Sequence, residues 1–239
     1  MFGFDWASKI INDIHYILLP QVCFGCNAPL YRGEHLLCTV CRHDLPITDY
    51  NFKEENEIDR IFYGRVRIEK AAALLYFSKT GIVKNLIHNL KYKNQEQIGE
   101  FLGNWYGQLI NERQELSSID VVIPVPLHPK KQRQRGYNQV ALFGKQLATY
   151  LNAQYLDHIL VKTANTKTQT KKSRLNRWAS SQDLFDVVEF ELLRDKTVLL
   201  VDDIITTGAT IEACALALQK IKNIKVYVAT MAAVPKLMN

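Results

Sequence analysis

The sequence predicts an α/β fold, in which helices cover both faces of a parallel sheet, together with a small N-terminal cysteine module. Two observations predict it. Apolar segments rich in β-branched residues alternate with segments of helical periodicity, which is typical of parallel sheets buried on both faces. Four cysteines cluster near the N-terminus. The 239 residues suffice for one domain of about 150–200 residues and a smaller module.

The composition excludes several classes of protein. Apolar residues make up 47% of the chain and charged residues 23%, which excludes a disordered chain, a collagen and a coiled coil. No segment approaches the ~18–20 consecutive apolar residues of a membrane span, so we expect no membrane partner. The N-terminus has no basic region followed by an apolar core, so we expect a cytoplasmic protein without a secretory signal.

The first element is predicted to be an amphipathic helix within residues 1–20. Its apolar side chains recur at helical spacing, at Ile10, Ile11, Ile14, Ile17 and Leu18. Pro20 is expected to end this helix, because proline cannot continue the backbone hydrogen bonding.

A zinc ribbon is predicted at residues 21–46. Its four cysteines form two C-x-x-C pairs: Cys23, Cys26, Cys38 and Cys41. This spacing favours one structural zinc ion, because each pair can place two thiolates on one tight turn. Metal binding would supply the folding energy of the module, and Gly25 is expected to take a positive φ in the first turn. Two disulfides or a redox site are the alternatives, while Cys214 is expected to be inert core.

A polar, acidic linker is predicted at residues 47–60, and it leads to the α/β domain at 61–239. The predicted strands are Ala71–Phe77, Ile119–Val125, Leu156–Val161, Thr197–Val201 and Ile224–Met231. The predicted helices are Val83–Leu90, Ile98–Ile110, Tyr137–Leu151 and Ala209–Ile221. A long polar loop at Thr163–Asn176 is expected to be either a lid or a disordered segment.

The most informative segment runs from Val198 to Thr210 and contains an apolar strand, two aspartates and a turn of small residues. Ligands of open α/β sheets bind beyond the carboxyl ends of the strands. The turn offers hydroxyls, backbone N–H groups and a helix N-terminus, which together suit a phosphate group. Asp202 and Asp203 suit sugar hydroxyls, with Mg²⁺ nearby through water. The segment therefore predicts a site for a ribose 5-phosphate.

The same segment resembles the phosphoribosyl pyrophosphate (PRPP) motif of type I phosphoribosyltransferases, which has four hydrophobic residues, two acids and a loop rich in Thr and Gly. The resemblance implies a type I phosphoribosyltransferase-like sheet and PRPP bound with Mg²⁺. It implies that Asp202 and Asp203 hold the ribose 2′ and 3′ hydroxyls. It also implies that the 5′-phosphate is wrapped by Thr206, Thr207, Gly208, Ala209 and Thr210.

Further motifs are similar to those of the ComF family, the competence protein F group of bacterial natural transformation. These motifs are Leu86–Lys93, Pro124–Pro129, Gly136–Gln139, Thr168–Thr170 and Ser173–Trp178, together with the cysteine module. The resemblance covers nearly the whole chain and implies a cytoplasmic role in DNA uptake. Lys171 and Lys172 depart from it, because a glycine or an apolar residue is expected there.

The positive charge is concentrated between His128 and Trp178, where eleven basic residues and one acidic residue give +10, against +6 for the whole chain. This excess indicates a polyanionic partner or, alternatively, a solvated basic surface. By analogy with phosphoribosyltransferases, the candidate pyrophosphate loop is Val125, Pro126, Leu127 and His128. His128 is either an acid/base group or a structural hydrogen-bonding residue. The candidates for binding pyrophosphate or DNA are Lys130, Arg133, Arg135, Lys171, Lys172, Arg174 and Arg177.

Two functions from different classes remain open at this stage. The first is an enzyme that transfers the 5-phosphoribosyl group of PRPP to an unspecified acceptor. The second is a non-catalytic adaptor that binds single-stranded DNA, with Tyr137 and Trp178 as stacking platforms or as packing residues. The family resemblance adds a competence helicase component as a candidate partner.

Overall fold

A computed structural model describes residues 21–116, 118–163 and 184–235. The strands are β1 Lys70–Tyr76, β2 Val121–Pro124, β3 Gln154–Tyr155, β4 Leu160–Lys162, β5 Phe185–Val187, β6 Thr197–Ile205 and β7 Lys225–Ala233. The helices are α1 Thr39–His43, α2 Glu57–Phe62, α3 Ile82–Tyr92, α4 Gln97–Glu112, α5 Pro129–Arg135, α6 Ala141–Tyr150 and α7 Ala209–Leu218. A 3₁₀ turn lies at Phe190–Leu193. The predicted helix within 1–20 and the lid residues from 164 onward lie outside the described residues.

The main sheet has five parallel strands in the order β1-β7-β6-β2-β3, and β4 and β5 form a separate antiparallel pair. Alternate residues of β6 face different cores: Leu199 and Val201 lie in one, Val198 and Leu200 in the other. The first core is covered by α3, α4 and α6, and the second by α2 and α7. The α/β fold with helices on both faces is therefore confirmed.

Two predicted elements need correction. One strand was expected at Leu156–Val161, but β3 ends at Tyr155 and joins the main sheet, while β4 begins at Leu160 and pairs with β5. The polar pair Asp157 and His158 lies in the bend between them. Strand β6 is longer than expected, because its ladder with β7 continues through Asp202 to Ile205.

The segment 47–60, predicted as a linker, is packed against the sheet. The Thr48 backbone N–H donates to the Leu74 carbonyl oxygen over 2.9 Å, and Phe52 is buried. Asn56 caps α2, and the buried Asp59 accepts from the Ala71 N–H and from the Lys70 ammonium. The polar composition of the segment gave no sign of these contacts, which provide hydrogen-bond partners for buried polar groups next to β1.

Within the described residues, no helix combines the length and the apolarity that a membrane crossing would need.

Candidate functional site

A cleft of 230 Å³ opens at the carboxyl ends of β2 and β6, where the rules for open α/β sheets place a ligand. It brings together residues from both predicted halves of the site: Asp202, Asp203 and Thr210 from the PRPP motif, and Val125, Pro126, Leu127 and His128 from the candidate pyrophosphate loop. Its other lining residues are Lys91, Lys131, Arg135, Gln139, Lys162 and Ile204.

The Asp203 carboxylate is buried and held on both oxygens. Lys91 Nζ lies 2.9 Å from its Oδ1, and Gln139 Nε2 donates to its Oδ2 over 2.6 Å. Gln139 in turn accepts from Arg135 Nη1 over 2.6 Å, and the Arg135 guanidinium stacks on the Tyr92 ring. These contacts fix Asp203 toward the α3 side of the sheet.

Asp202 lies on the opposite face of β6 because successive strand residues alternate. Its Oδ1 accepts from the Asp203 backbone N–H over 2.8 Å. Burial, with repulsion from Asp203, raises the pKa of Asp202 to about 8. The two acids therefore differ: Asp203 has a cationic partner at contact distance, whereas burial favours the protonated form of Asp202.

The turn after β6 begins α7. Gly208 has φ +73° as the N-cap of that helix, and the side chains of Ile61 and Phe62 occupy the space that a Cβ at this position would need. Arg65 Nη1 donates to the Thr207 carbonyl oxygen over 2.9 Å. Thr210 lines the cleft, whereas Thr206, Thr207, Gly208 and Ala209 are not among the lining residues. The turn is thus anchored from behind by residues 57–65.

The candidate pyrophosphate loop leads into a short helix that the sequence analysis missed. The Val125 N–H donates to the Val201 carbonyl oxygen over 2.9 Å, which ties the loop to β6. His128 caps α5, with its Nδ1 accepting from the Lys130 N–H over 3.2 Å. Pro129 is the first helical residue and Gly136 ends the helix with φ +80°. The capping bond favours the structural role for His128.

The basic residues after the loop lie on α5 instead of in a loop. Lys130, Lys131 and Arg133 are exposed, and Lys131 also lines the cleft. Arg135 is half-buried and contacts Gln139 and Tyr92. Tyr137, a candidate stacking platform, packs against the first core and donates to the Leu90 carbonyl oxygen, so it is a packing residue. Trp178 and the candidates Lys171, Lys172, Arg174 and Arg177 lie outside the described residues.

The four clustered cysteines form a second site. The sulfur atoms of Cys23, Cys26, Cys38 and Cys41 all lie within 4.8 Å of one another. The Cys26 and Cys38 sulfurs are 3.8 Å apart, which matches the edge of a tetrahedron with Zn–S bonds of about 2.3 Å. None of the cysteines in the described residues is in a disulfide. The cluster therefore fits a metal ion such as zinc, bound by four thiolates with no open position.

Backbone N–H groups stabilise the thiolate of Cys23, which is the form of a cysteine that binds a metal ion. The N–H groups of Gly25 and Cys38 both donate to Cys23 Sγ over 3.3 Å. Although burial opposes ionisation of Cys23, these bonds hold its pKa down at about 7. The expectation that Gly25 has a positive φ is wrong: Asn27 has it, at 64°. Gly25 instead provides space, because a Cβ there would lie 2.9 Å from Cys41 Sγ.

Comparison with known proteins identifies the family. The chain is 32% identical over 213 residues to competence protein F of Haemophilus influenzae, covering 83% of this chain and 91% of that protein. The chain belongs to the competence protein F family. It is 26% identical over 216 residues to the DNA utilization protein YhgH of Escherichia coli O157:H7, covering 83% of this chain and 91% of that protein. It is 24% identical over 206 residues to competence protein ComFC of Bacillus subtilis, covering 84% of this chain and 79% of that protein.

The family model of the phosphoribosyl transferase domain matches residues 138–237 of this competence protein F family member. This range contains Gln139, Lys162, β6, α7 and β7. Among solved structures, the glutamine PRPP amidotransferase of B. subtilis is similar with a TM-score of 0.43 and 18% identity, covering 60% of this chain and 30% of that one.

Four polar or charged cleft residues of this family member are absent from the candidates named in the sequence analysis: Lys91, Lys131, Gln139 and Lys162. Lys91 and Gln139 lie within two motifs that carry the family resemblance, but the sequence does not show that both meet Asp203. Lys162 ends β4, whose separate pairing with β5 was not expected. The packing of α3 and of the β4–β5 pair around the carboxyl end of β6 brings these side chains together.

Proposed function

We propose that this competence protein F family member binds PRPP with Mg²⁺ in the cleft at the carboxyl ends of β2 and β6, and takes part in handling DNA during uptake. The observation that carries the proposal is the convergence of the paired aspartates with four cationic side chains in one cleft: Lys91, Lys131, Arg135 and Lys162. Carboxylates accept hydrogen bonds from sugar hydroxyls, and the cations suit a diphosphate.

Each part of the cleft is assigned one part of the ligand. Asp202 and Asp203 would take the ribose hydroxyls, and the turn from Thr206 to Thr210 the 5′-phosphate, beside the N-terminus of α7. The segment Val125–His128 and the cations would take the diphosphate. Mg²⁺, bound with PRPP, would neutralise part of the diphosphate charge.

Transfer chemistry is the enzymatic form of this proposal. The bond between ribose C1 and the diphosphate oxygen would break, the electron pair would leave with the diphosphate, and a nitrogen nucleophile would attack C1. Lys91, Lys131 and Lys162 would stabilise the departing charge, which is the main way this cleft could accelerate the reaction.

A DNA-related role is supported by the relatives, whose names refer to competence and to DNA utilization. A competence helicase component as partner, and a cytoplasmic location, belong to the same proposal. Single-stranded DNA binding is a second candidate function, and one observation favours it: α5 presents Lys130, Lys131 and Arg133 to solvent at the rim of the cleft. A phosphate backbone following α5 would pass beside the proposed PRPP site.

Calorimetric titration with PRPP and Mg²⁺ tests the first candidate. The wild type is expected to bind, and the Asp202→Asn/Asp203→Asn variant is expected to lose binding while remaining folded by circular dichroism. Asp186→Asn, at an exposed position on β5, is the matched control. Equal PRPP affinity in all three proteins would refute the site. Pyrophosphate release with nucleobase, nucleotide and amine acceptors then tests transfer.

Fluorescence anisotropy of a labelled single-stranded oligonucleotide tests the second candidate. Substitution of Lys130, Lys131 and Arg133 by glutamine is expected to weaken binding and to flatten the salt dependence by about two phosphate contacts, at a slope of roughly 0.7 per contact. The same substitution at the exposed Lys220, Lys222 and Lys225, which lie near the amino end of β7, is the control for total charge. Loss of binding in both variants to the same extent would refute a specific role for α5.

A further inference from the structure

One ion pair in the cleft joins two residues far apart in the sequence. Lys91 Nζ lies 2.9 Å from Asp203 Oδ1, and the Lys91 and Asp203 side chains are 20% and 8% exposed. A pair this deeply buried gives little net stability, because removing both charges from water offsets most of their attraction. Lys91 and Asp203 both line the cleft, and this shared position points to a role in ligand binding.

The helix that carries Lys91 is fixed at both ends. Near its start, Asn85 Nδ2 donates to the Gly25 carbonyl oxygen over 2.7 Å, and one turn later Asn89 Nδ2 donates to the Phe24 carbonyl oxygen over 3.2 Å. These carbonyls belong to the first cysteine turn. Near its end, the Tyr137 hydroxyl donates to the Leu90 carbonyl oxygen. The Lys91 backbone is thus held in place, and only its side chain is free to change partner.

Lys91 is not the only side chain that donates a hydrogen bond to the Asp203 carboxylate. Gln139 Nε2 donates to the other carboxylate oxygen over 2.6 Å, and Arg135 holds Gln139 through its amide oxygen. An ammonium has three donors, and only the one toward Asp203 has a partner among the contacts of the described residues. Lys91 can therefore leave Asp203 while the carboxylate keeps a strong hydrogen bond.

We propose that Lys91 exchanges partners on ligand binding: it pairs with Asp203 in the ligand-free cleft and turns to the diphosphate of PRPP in the complex. The exchange frees Oδ1 of Asp203 to accept a hydrogen bond from a ribose hydroxyl. It makes Lys91 a residue that distinguishes PRPP from a ribose phosphate lacking the diphosphate. This inference rests on the proposed function, because it assigns one residue a role within that site.

The experiment compares two ligands on the same protein sample by calorimetry with Mg²⁺ present: PRPP, and ribose 5-phosphate, which lacks the diphosphate. The variants are Lys91→Gln, the charge-conserving Lys91→Arg, and the control Lys93→Gln, at the exposed residue that follows α3. Because both affinities come from one sample, partial misfolding changes the apparent stoichiometry for both ligands and leaves the ratio of their dissociation constants unchanged.

For Lys91→Gln we expect PRPP affinity to fall roughly tenfold to one-hundredfold, the range for loss of a charge-assisted hydrogen bond. Ribose 5-phosphate affinity should change less than about threefold, Lys91→Arg should recover most of the PRPP affinity, and Lys93→Gln should match the wild type. An equal loss for both ligands, or unchanged PRPP affinity, would overturn the exchange and leave Lys91 a structural partner of Asp203. A wild type that binds ribose 5-phosphate and PRPP equally well would also overturn it, whereas one that binds neither would refute the proposed function itself.

Discussion

Replacement of Gly208 by alanine tests how the turn after β6 is held. The residue has φ +73°, and a Cβ built on it would lie 2.6 Å from Ile61 Cγ2 and 3.0 Å from Phe62 Cε1. Phe62 is 1% exposed and cannot turn away. The substitution therefore combines a strained backbone with a steric clash between the turn and α2.

Gly136 separates the two effects. It has φ +80°, but nothing lies within 4 Å of the Cβ that alanine would add. A left-handed alanine costs about 1–2 kcal/mol, of which about 0.4–1 kcal/mol is offset by the lower entropy of the unfolded chain. We therefore expect Gly136→Ala to lower the free energy of unfolding by about 1 kcal/mol. Overpacking adds about 1–3 kcal/mol, so Gly208→Ala should lower it by about 2–4 kcal/mol.

Urea denaturation followed by circular dichroism measures both losses, and titration with ribose 5-phosphate measures the effect on the site. Gly208→Ala should weaken ribose 5-phosphate binding, because the clash displaces the turn assigned to the phosphate. Gly136→Ala, at the far end of α5, should leave that binding near the wild-type value. The reasoning fails if the two variants lose the same stability, since the contact with α2 would then have no energetic effect.

Three further predictions follow from the contacts described. Removal of metal by a strong chelator should lower the melting temperature by roughly 10 °C, because the cysteines share a core with α3 and α4. Metal analysis and a thermal scan measure this effect. An unchanged melting temperature after loss of the metal would contradict the prediction. Folding raises the pKa of Asp202, so stability from this group is fully present below about pH 4 and is lost as pH rises through about 8. The melting temperature of Asp202→Asn, measured relative to that of the wild type at pH 5, 7 and 9, should therefore rise with pH. Arg65→Met should weaken ribose 5-phosphate binding about fivefold, because it removes the hydrogen bond to the Thr207 carbonyl oxygen. Arg67→Met, at a largely exposed side chain, should leave binding unchanged. Equal binding by both variants would contradict the assignment of the phosphate to this turn.

Local patterns in the sequence predicted much of this molecule. The two C-x-x-C pairs fix four sulfur atoms by spacing alone, and the PRPP motif places Asp202, Asp203 and Gly208 on one strand and turn. Both signals are short and contiguous in the sequence, so they can be recognised without knowledge of the fold. The site roles assigned to these residues stay predictions until a ligand is measured.

Contacts between distant segments were beyond the sequence. Nothing in the sequence near Lys91 indicates that it meets Asp203, because the contact depends on how α3 crosses the sheet. Helix α5 has no apolar face, so periodicity could not find it; its ends are set by His128 and Gly136. The segment 47–60 appeared to be a linker because its polar residues outnumber the few that anchor it, such as Phe52.

The strand order has a consequence for how the chain folds. Strand β7 pairs with β1 on one side and β6 on the other. The pairing of Ala71 in β1 with Val228 in β7 therefore cannot form until residue 228 has been synthesised. During synthesis, β1 and β6 are both made before the strand that joins them, and each leaves an unpaired edge that can aggregate. Such distant pairing slows folding. Removal of residues 225–233 would therefore be expected to detach β1 from the main sheet and to turn β6 into an exposed edge, with only β6, β2 and β3 still paired.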